Sequence, residues 1–191
     1  KTPQHPQHQA ADIPSFASMH SPFYHIPYTP DFARMTPANA EEAFARLLPE
    51  ARAAVDALEA SFTPTWPGLM RPLHDACHPL FDAWNLLGHM LSVMNSAEWR
   101  RVQEALQPEI VAFSLRVGQS VRFYEGCRTL AAAAQAATLT PVQRRILAKT
   151  IQAAEQAGVG LAPDQQARFN AIQQELARTA TTFRNNLLDA T

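Results

Sequence analysis

The stretch GVGLAPDQQARFNAIQQELARTATTFRNNLLDAT, residues 158–191, carries the clearest structural signal in the chain. After a turn from Gly158 to Pro163, apolar residues recur at intervals of three and four positions, while arginines and glutamines occupy the other positions. This spacing places the apolar residues on one face of an α-helix, so we predict an amphipathic helix here. The apolar positions are Phe169, Ile172, Leu176, Ala180, Phe183 and Leu187.

Capping signals place the boundaries of two further helices. Thr140-Pro141-Val142-Gln143 has the pattern of a capping box, and Gly158 follows that helix as a C-cap glycine would. Thr36-Pro37 combines an N-cap with proline at the first helical position, which predicts a helix from there onward. Pro49 is expected to kink or interrupt this helix.

The sequence of the middle of the chain predicts three more helical segments. One opens near Thr65, one is capped by Ser96 and runs from Ala97 to about Leu106, and one starts at Pro108 and continues through Tyr124. No segment alternates as a strand would, and no internal repeat is present. We therefore predict an all-α fold of antiparallel helices over residues 36–191. The first of the three segments has the apolar stripe Leu69, Leu73, Cys77, Leu80, Phe81, Trp84, Leu87 and Leu91.

Residues 1–35 differ in composition from the rest. Proline is dense there, which excludes a regular helix, and aromatic residues accompany it. A solvated linker would rarely carry so many aromatic side chains, so we predict an extended N-terminal arm that packs on the helical domain. The prolines and aromatics are Pro14, Phe16, Pro22, Phe23, Tyr24, Pro27, Tyr28, Pro30 and Phe32.

Composition limits the classes of function. Hydrophobic residues make up 47% and charged residues 17%, so a packed core is expected, and the net charge of -1 argues against nucleic-acid or anionic-membrane binding. No apolar stretch reaches the roughly 20 residues that cross a bilayer. The two cysteines, Cys77 and Cys127, are too few for a disulfide framework and favour a reducing compartment, although a single bridge is compatible with the sequence. We therefore predict a cytoplasmic protein.

The segment His74-Asp75-Ala76-Cys77-His78 is the one motif that suggests chemistry. Two histidines four residues apart with an acid after the first is a zincin-like pattern, in which His74 and His78 would bind zinc and Asp75 would act as general base. Aspartate is shorter than the usual glutamate, Pro79 disfavours helical dihedrals at His78, and no nearby helix clearly supplies a third ligand. We therefore interpret these residues as the polar side of an amphipathic helix.

Other chemically suggestive residues have simpler interpretations. Cys77 and His78 are adjacent on a helix and point in different directions, so they do not form a nucleophile and its base. His5 and His8 lie in a polar tail, and Gly158-Val159-Gly160 lacks the strand and lysine of a phosphate loop. His89 and the three tryptophans are expected to be structural. We predict no catalytic, cofactor-binding or metal-binding residue in this chain.

Several sequence blocks together resemble oligopeptidase A and the thimet oligopeptidase family. They occur in the family's order and separation from about Ser21 to Thr191, whereas residues 1–20 have no counterpart and Pro79 departs from the family pattern. The blocks are Pro30-Asp31-Phe32, Met35-Thr36-Pro37, Thr65-Trp66 with Leu69, His89 with Leu91-Ser92-Val93, Asn95-Ser96 with Trp99-Arg100, Gly158-Val159-Gly160-Leu161, Arg168-Phe169, Ile172, Leu176, Phe183, Asn185-Asn186, and Leu188-Asp189-Ala190-Thr191.

The resemblance implies the N-terminal part of a longer, two-lobed helical zinc enzyme that cleaves short peptides in a channel between its lobes. It implies that two histidines of a His-Glu-x-x-His helix and a later glutamate hold the zinc, beyond residue 191. The expected role of residues 36–191 is then to form a wall of the channel, with no zinc site and no activity of their own. His74 to His78 falls where the family has an ordinary helix.

Two expectations about partners follow from this resemblance. Surface that meets the catalytic part should be exposed in this chain as an apolar patch larger than a typical monomer shows, which also offers a surface for dimerisation. The alternative is a stand-alone helical binding or scaffold domain without catalytic activity. A third interpretation, a small metalloprotein using His74 and His78, requires stoichiometric bound metal.

Overall fold

The computed structural model describes residues 21–24, 26, 29–133 and 137–190. The described residues form six α-helices and no β-strand, which confirms the all-α prediction. None of these helices is both long enough and apolar enough to cross a membrane. The helices are α1 (Pro37–Ser61), α2 (Arg71–Met94), α3 (Ala97–Gly118), α4 (Val121–Ala132), α5 (Pro141–Gln156) and α6 (Pro163–Asp189).

The capping residues act as the sequence predicts. Thr36 and Ser96 accept hydrogen bonds from the backbone N–H groups three residues later, and Thr140 and Gln143 form the complete capping box of α5. Thr65 caps a π-helical turn, Trp66–Met70, that leads directly into α2. Gly158 has φ +84°, a left-handed conformation that glycine adopts without steric cost, and it turns the chain after α5.

The prolines within the helices bear on two expectations. Pro49 lies inside the continuous helix α1, so it does not interrupt that helix, and Pro108 lies inside α3, so the prediction of a new helix at Pro108 is wrong. An internal proline costs about 3 kcal/mol. Val102, Ile110 and Phe113 are buried on either side of Pro108, and each contributes about 1.5–3 kcal/mol, which outweighs that cost.

The sequence analysis also missed the break between α3 and α4. The chain leaves α3 at Gly118, and the Ser120 side chain caps α4 by accepting from the N–H of Phe123. A glycine followed two residues later by serine is a recognisable stop-and-cap signal. The predicted continuous helix through Tyr124 therefore consists of two helices.

Helices α1, α2 and α3 pack together to form the main core. Ion pairs join α1 and α3 in matching order: Glu41 with Arg101 at 2.8 Å, Arg52 with Glu109 at 2.5 Å, and Asp56 and Glu59 with Arg116. This order means that α1 and α3 run parallel, with the connecting helix α2 antiparallel to both.

One acidic group of this set, Glu59, is partly shielded from solvent. Burial acts to raise the pKa of Glu59, but hydrogen bonds from Arg116 and Ser120 outweigh it and lower that pKa below its ordinary value. The Glu59 carboxylate therefore stays charged where α1 meets the start of α4.

The described part of the N-terminal arm packs on this core. Phe23 is fully buried with its ring centroid 6.0 Å from that of Trp99, and the Tyr24 hydroxyl donates to Glu50 at 2.7 Å. A short 3-10 helix, Phe32–Arg34, precedes α1. The predicted arm residues 1–20, including the His5 and His8 tract, lie outside the described residues.

Candidate interaction surface

The histidine motif lies on the exposed side of α2. The His74 and His78 ring centroids are 4.5 Å apart, so the two rings do share a helix face, and the expectation that Pro79 would disturb that geometry is wrong. His78 Nδ1 lies 2.7 Å from Asp82, and the Asp75 carboxylate pairs with Arg71 at 3.2 Å. Within the described residues, no group of three or more His, Cys, Asp or Glu side chains is arranged to hold a metal ion.

The two cysteines are free thiols in hydrophobic surroundings. Burial raises the pKa of both Cys77 and Cys127 to about 11, so each stays protonated near neutral pH, in the form that is not nucleophilic. Cys127 is buried with its sulfur 3.7 Å from that of Met70. Their role in this chain is packing.

The remaining candidates have structural contacts. The exposed His89 ring lies 5.2 Å from the Phe32 ring, where it helps to hold the short 3-10 helix. Trp99 is buried beneath Phe23, and Trp84 meets the Phe44 ring edge-on at 6.1 Å between centroids. These contacts agree with the expectation that His89, Trp84 and Trp99 are structural.

An apolar cleft separates α5 from α2 and α3. It has a volume of about 350 Å³ at the α3 end and continues past Phe81 towards Trp66 and His74. Its shared walls are Leu73, Phe81, Val117 and Thr150. The cleft is lined mainly by apolar side chains, and we see no arrangement of catalytic groups among its described residues.

Helix α6 is attached to α3 by polar contacts along its whole length. The side-chain amide of Gln107 donates to Thr181 Oγ1 at 2.9 Å and to the carbonyl oxygen of Ala177 at 3.1 Å. Gln119 and Asn170 exchange hydrogen bonds nearer the start of α6. Because residue numbers rise along α3 as they fall along α6, the two helices are antiparallel.

The last turn of α6 is fixed by a bidentate ion pair. Both terminal nitrogens of Arg100 bind the Asp189 carboxylate, at 2.9 and 2.5 Å, and the hydrogen bond from Arg100 lowers the pKa of Asp189. Arg100 and Asp189 belong to two different blocks of the family resemblance. The sequence analysis assigned neither residue a role, because their separation of 89 positions leaves no local signal.

Apart from Phe169, which is half-buried, the apolar positions of α6 point away from the chain's own core. We call the set Phe169, Ile172, Leu176, Ala180, Phe183 and Leu187 the α6 stripe. Its side chains are 52% exposed at Ile172, 60% at Leu176 and 69% at Phe183, whereas Thr181 on the opposite side is buried. An amphipathic helix normally buries its apolar side. Here the polar side is docked and the apolar side is left as a surface, which makes the stripe the candidate interaction site.

We expect Gln107→Ala to loosen α6 without unfolding the core. Losing the two hydrogen bonds to α6 should lower the local stability by about 1 kcal/mol, which is roughly fivefold faster amide exchange. Hydrogen exchange of the α6 amides, compared with those of α1, measures this effect. Gln156→Ala changes an exposed glutamine on α5 and serves as the control. Unchanged α6 exchange in Gln107→Ala would show that these bonds do not hold the helix.

The fold and this outward stripe define a helical domain with an exposed apolar face, and comparison with known proteins identifies its family. The model of the neurolysin/thimet oligopeptidase N-terminal domain matches residues 44–166. The chain therefore belongs to the thimet oligopeptidase family, in its N-terminal domain, as the sequence resemblance indicated.

Three curated relatives agree with this assignment. The chain is 32% identical over 162 residues to the chloroplastic/mitochondrial organellar oligopeptidase A of Arabidopsis thaliana, covering 85% of this chain and 20% of the relative. It is 33% identical over 145 residues to the probable cytosolic oligopeptidase A of Arabidopsis thaliana, covering 76% and 21%. It is 30% identical over 163 residues to oligopeptidase A of Escherichia coli, covering 85% and 24%. The chain thus spans about a quarter or less of the length of these relatives.

Proposed function

We propose that the chain is the N-terminal helical region of a zinc metallo-oligopeptidase that hydrolyses short peptides, and that residues 36–191 form one wall of its substrate channel. The observation that carries the proposal is the match of residues 44–166 to the neurolysin/thimet oligopeptidase N-terminal domain. The relatives are named as oligopeptidases, which supports peptides as substrates. The partners proposed are short peptides and the catalytic part of the same enzyme.

The zinc and its ligands are proposed to lie outside this chain. When bound, zinc would supply a Lewis acid for hydrolysis of the peptide bond, and a glutamate would act as general base. In residues 74–78 the position of that glutamate is taken by Asp75, whose carboxylate is paired with Arg71. We assign none of the described residues a step in the hydrolysis, and we propose that the chain alone is inactive.

The helical packing suits a rigid wall. The connections Phe62–Thr65, Asn95–Ser96 and Gln119–Ser120 are short, so α1 to α4 have little freedom to move apart. The ion pairs between α1 and α3 tie the same region across the bundle. A wall that does not deform would admit short unstructured peptides and exclude folded proteins.

A cytoplasmic location is proposed from the cysteine usage. Both cysteines are free thiols, as a reducing compartment favours. The names of the relatives include a probable cytosolic form and an organellar form. Fractionation of cells that express the tagged chain tests the location.

The function is tested with quenched-fluorescent peptides. We expect no turnover by this chain, either with added zinc or with a chelator. A fusion of the chain to the part of Escherichia coli oligopeptidase A that follows its matched 163 residues should cleave the peptides in a chelator-sensitive reaction. His74→Ala with His78→Ala in the fusion should leave the rate within about twofold, because both side chains are exposed and outside the proposed metal site.

Two results would contradict this proposal. Chelator-sensitive turnover by the chain alone, abolished by His74→Ala, would make the histidine motif a catalytic site. A soluble, folded fusion that never cleaves peptides would argue instead for a binding or scaffold domain. Placing the same peptide sequence within a folded protein serves as the control for the channel, since it should not be cut.

A further inference from the structure

We propose that the α6 stripe is the docking surface for an amphipathic helix of the catalytic part of the same oligopeptidase, which packs along Ile172, Leu176 and Phe183. This inference rests on the proposed function and names the surface through which the N-terminal region meets its partner. The interface needs no rearrangement of the chain, because α6 is already held from its opposite side by Gln107 and Arg100.

The geometry of the stripe fits a helical partner. From Phe169 to Leu187 the apolar positions average one every 3.6 residues, which keeps them in a straight line along the helix. Eighteen residues correspond to about 27 Å, or five turns. A straight apolar line of this length is the complement of one face of another amphipathic helix.

The polar residues on the flanks of α6 are paired within the helix. The Thr182 hydroxyl donates to the carbonyl oxygen of Arg178 at 3.1 Å, and the Thr179 hydroxyl donates to Glu175 at 3.4 Å. Arg178 and Glu175 are paired with each other at 2.6 Å. Glu175, Arg178 and Thr182 line the gap between α6 and α3, so a partner that covers the stripe would not have to bury this ion pair. The Thr179 hydroxyl, which lies nearer the stripe, would keep its hydrogen bond to Glu175.

The length of the relatives indicates which polypeptide covers the α6 stripe. This chain covers 20–24% of the relatives described above, so more than three quarters of their polypeptide lies elsewhere. The match to the family model ends at residue 166, near the start of α6, so the stripe lies outside the matched range. A second copy of this chain is a poorer fit. Antiparallel pairing of two α6 helices about residue 178 would place Glu175 opposite Thr181 and Arg168 opposite Leu188, next to Asp189. The Asp189 carboxylate is already held by Arg100, so an ion pair with Arg168 of a second copy would compete with one that the chain makes by itself.

The test compares thiol accessibility at two exposed apolar positions. Phe183→Cys reports on the stripe, and Val142→Cys on α5 is the matched control at 67% exposure, each combined with Cys77→Ala and Cys127→Ala. Both thiols should react rapidly with a maleimide in this chain alone. In the fusion with the remainder of Escherichia coli oligopeptidase A, the thiol at position 183 should react at least tenfold more slowly, and the thiol at 142 within twofold of its rate in the chain alone.

The proposal would be overturned if the thiol at position 183 reacted equally fast in the chain alone and in the fusion. It would also be overturned if the fusion slowed the thiols at positions 142 and 183 equally. If the thiol at position 183 reacts more slowly as the concentration of the chain alone is raised, the stripe binds a second copy of the chain, and the proposal is also overturned. The same thiols are measured after mixing the chain with the separately purified remainder of the Escherichia coli enzyme, so the result does not depend on the fusion folding.

A photo-crosslinker at position 183 identifies the occupant directly. We expect the crosslinked peptide to come from the catalytic part, and a crosslink to residues 1–191 of another molecule would contradict the proposal. Peptide cleavage by the same fusion separates this inference from the proposed function. Cleavage without protection at position 183 refutes only the docking surface, while protection without cleavage refutes only the peptidase function.

Discussion

Replacing Phe44 by alanine is expected to lower the free energy of unfolding by about 3–5 kcal/mol. The Phe44 side chain is 1% exposed and meets Trp84 edge-on, so its removal leaves a cavity between α1 and α2 in addition to the lost burial. Urea unfolding followed by circular dichroism measures the change. The far-ultraviolet spectrum at zero urea shows whether the variant is still folded under native conditions.

Phe183→Ala is the matched control for this prediction. It makes the same change of residue type on a helix, at a position that is 69% exposed. We expect its free energy of unfolding to stay within about 0.5 kcal/mol of the parent chain. If the two variants lose similar stability, the assignment of Phe44 to the core and of Phe183 to an open surface is wrong.

Gly126→Ala is expected to destabilise the chain by about 1–3 kcal/mol, although alanine favours helices more than glycine by about 1 kcal/mol. A Cβ at position 126 would lie 2.5 Å from Cε2 of Phe62 and 2.9 Å from Cδ2 of Leu69. The Phe62 ring is held by Phe123, at 5.7 Å between centroids, so it cannot move away without loss of packing. Thermal unfolding monitored by circular dichroism gives the sign of the effect.

Gly88→Ala provides the opposite case on α2. A Cβ at position 88 meets no atom within 4 Å, so only the helix preference of alanine acts, and the chain should gain up to about 1 kcal/mol. A gain in stability at both positions would mean that Phe62 adjusts freely, and the explanation of Gly126 by close packing would fail.

The sequence predicted the helix ends better than the helix interiors. Thr36, Ser96 and Thr140 cap helices because a side-chain oxygen three residues before an N–H is a local arrangement that the sequence shows directly. Whether Pro108 ends a helix depends on burial of Val102 and Ile110 against other helices, which is a tertiary effect. The continuation of α3 through Pro108 was therefore beyond local reasoning.

The sequence analysis identified the residues of the candidate site but did not say which way they face. The α6 stripe was clear from its spacing, but the spacing does not say which side of the helix faces the core. That choice is made by Gln107 and Arg100, which bind residues 74 and 89 positions away. Contacts at such separations between side chains that are individually common leave no pattern in a single sequence.

The outward stripe also has a consequence for the order of events during synthesis. In the proposed oligopeptidase, the six described helices would leave the ribosome before the catalytic part, and α6 would display Ile172, Leu176 and Phe183 to the surrounding solution while that part was still being made. At about 5–20 residues per second, the remaining three quarters of a relative such as Escherichia coli oligopeptidase A would take on the order of a minute. Throughout that interval the polar attachment of α6 to α3 would keep the stripe on a folded helix, so a chaperone would meet an ordered apolar ridge and not an unfolded segment.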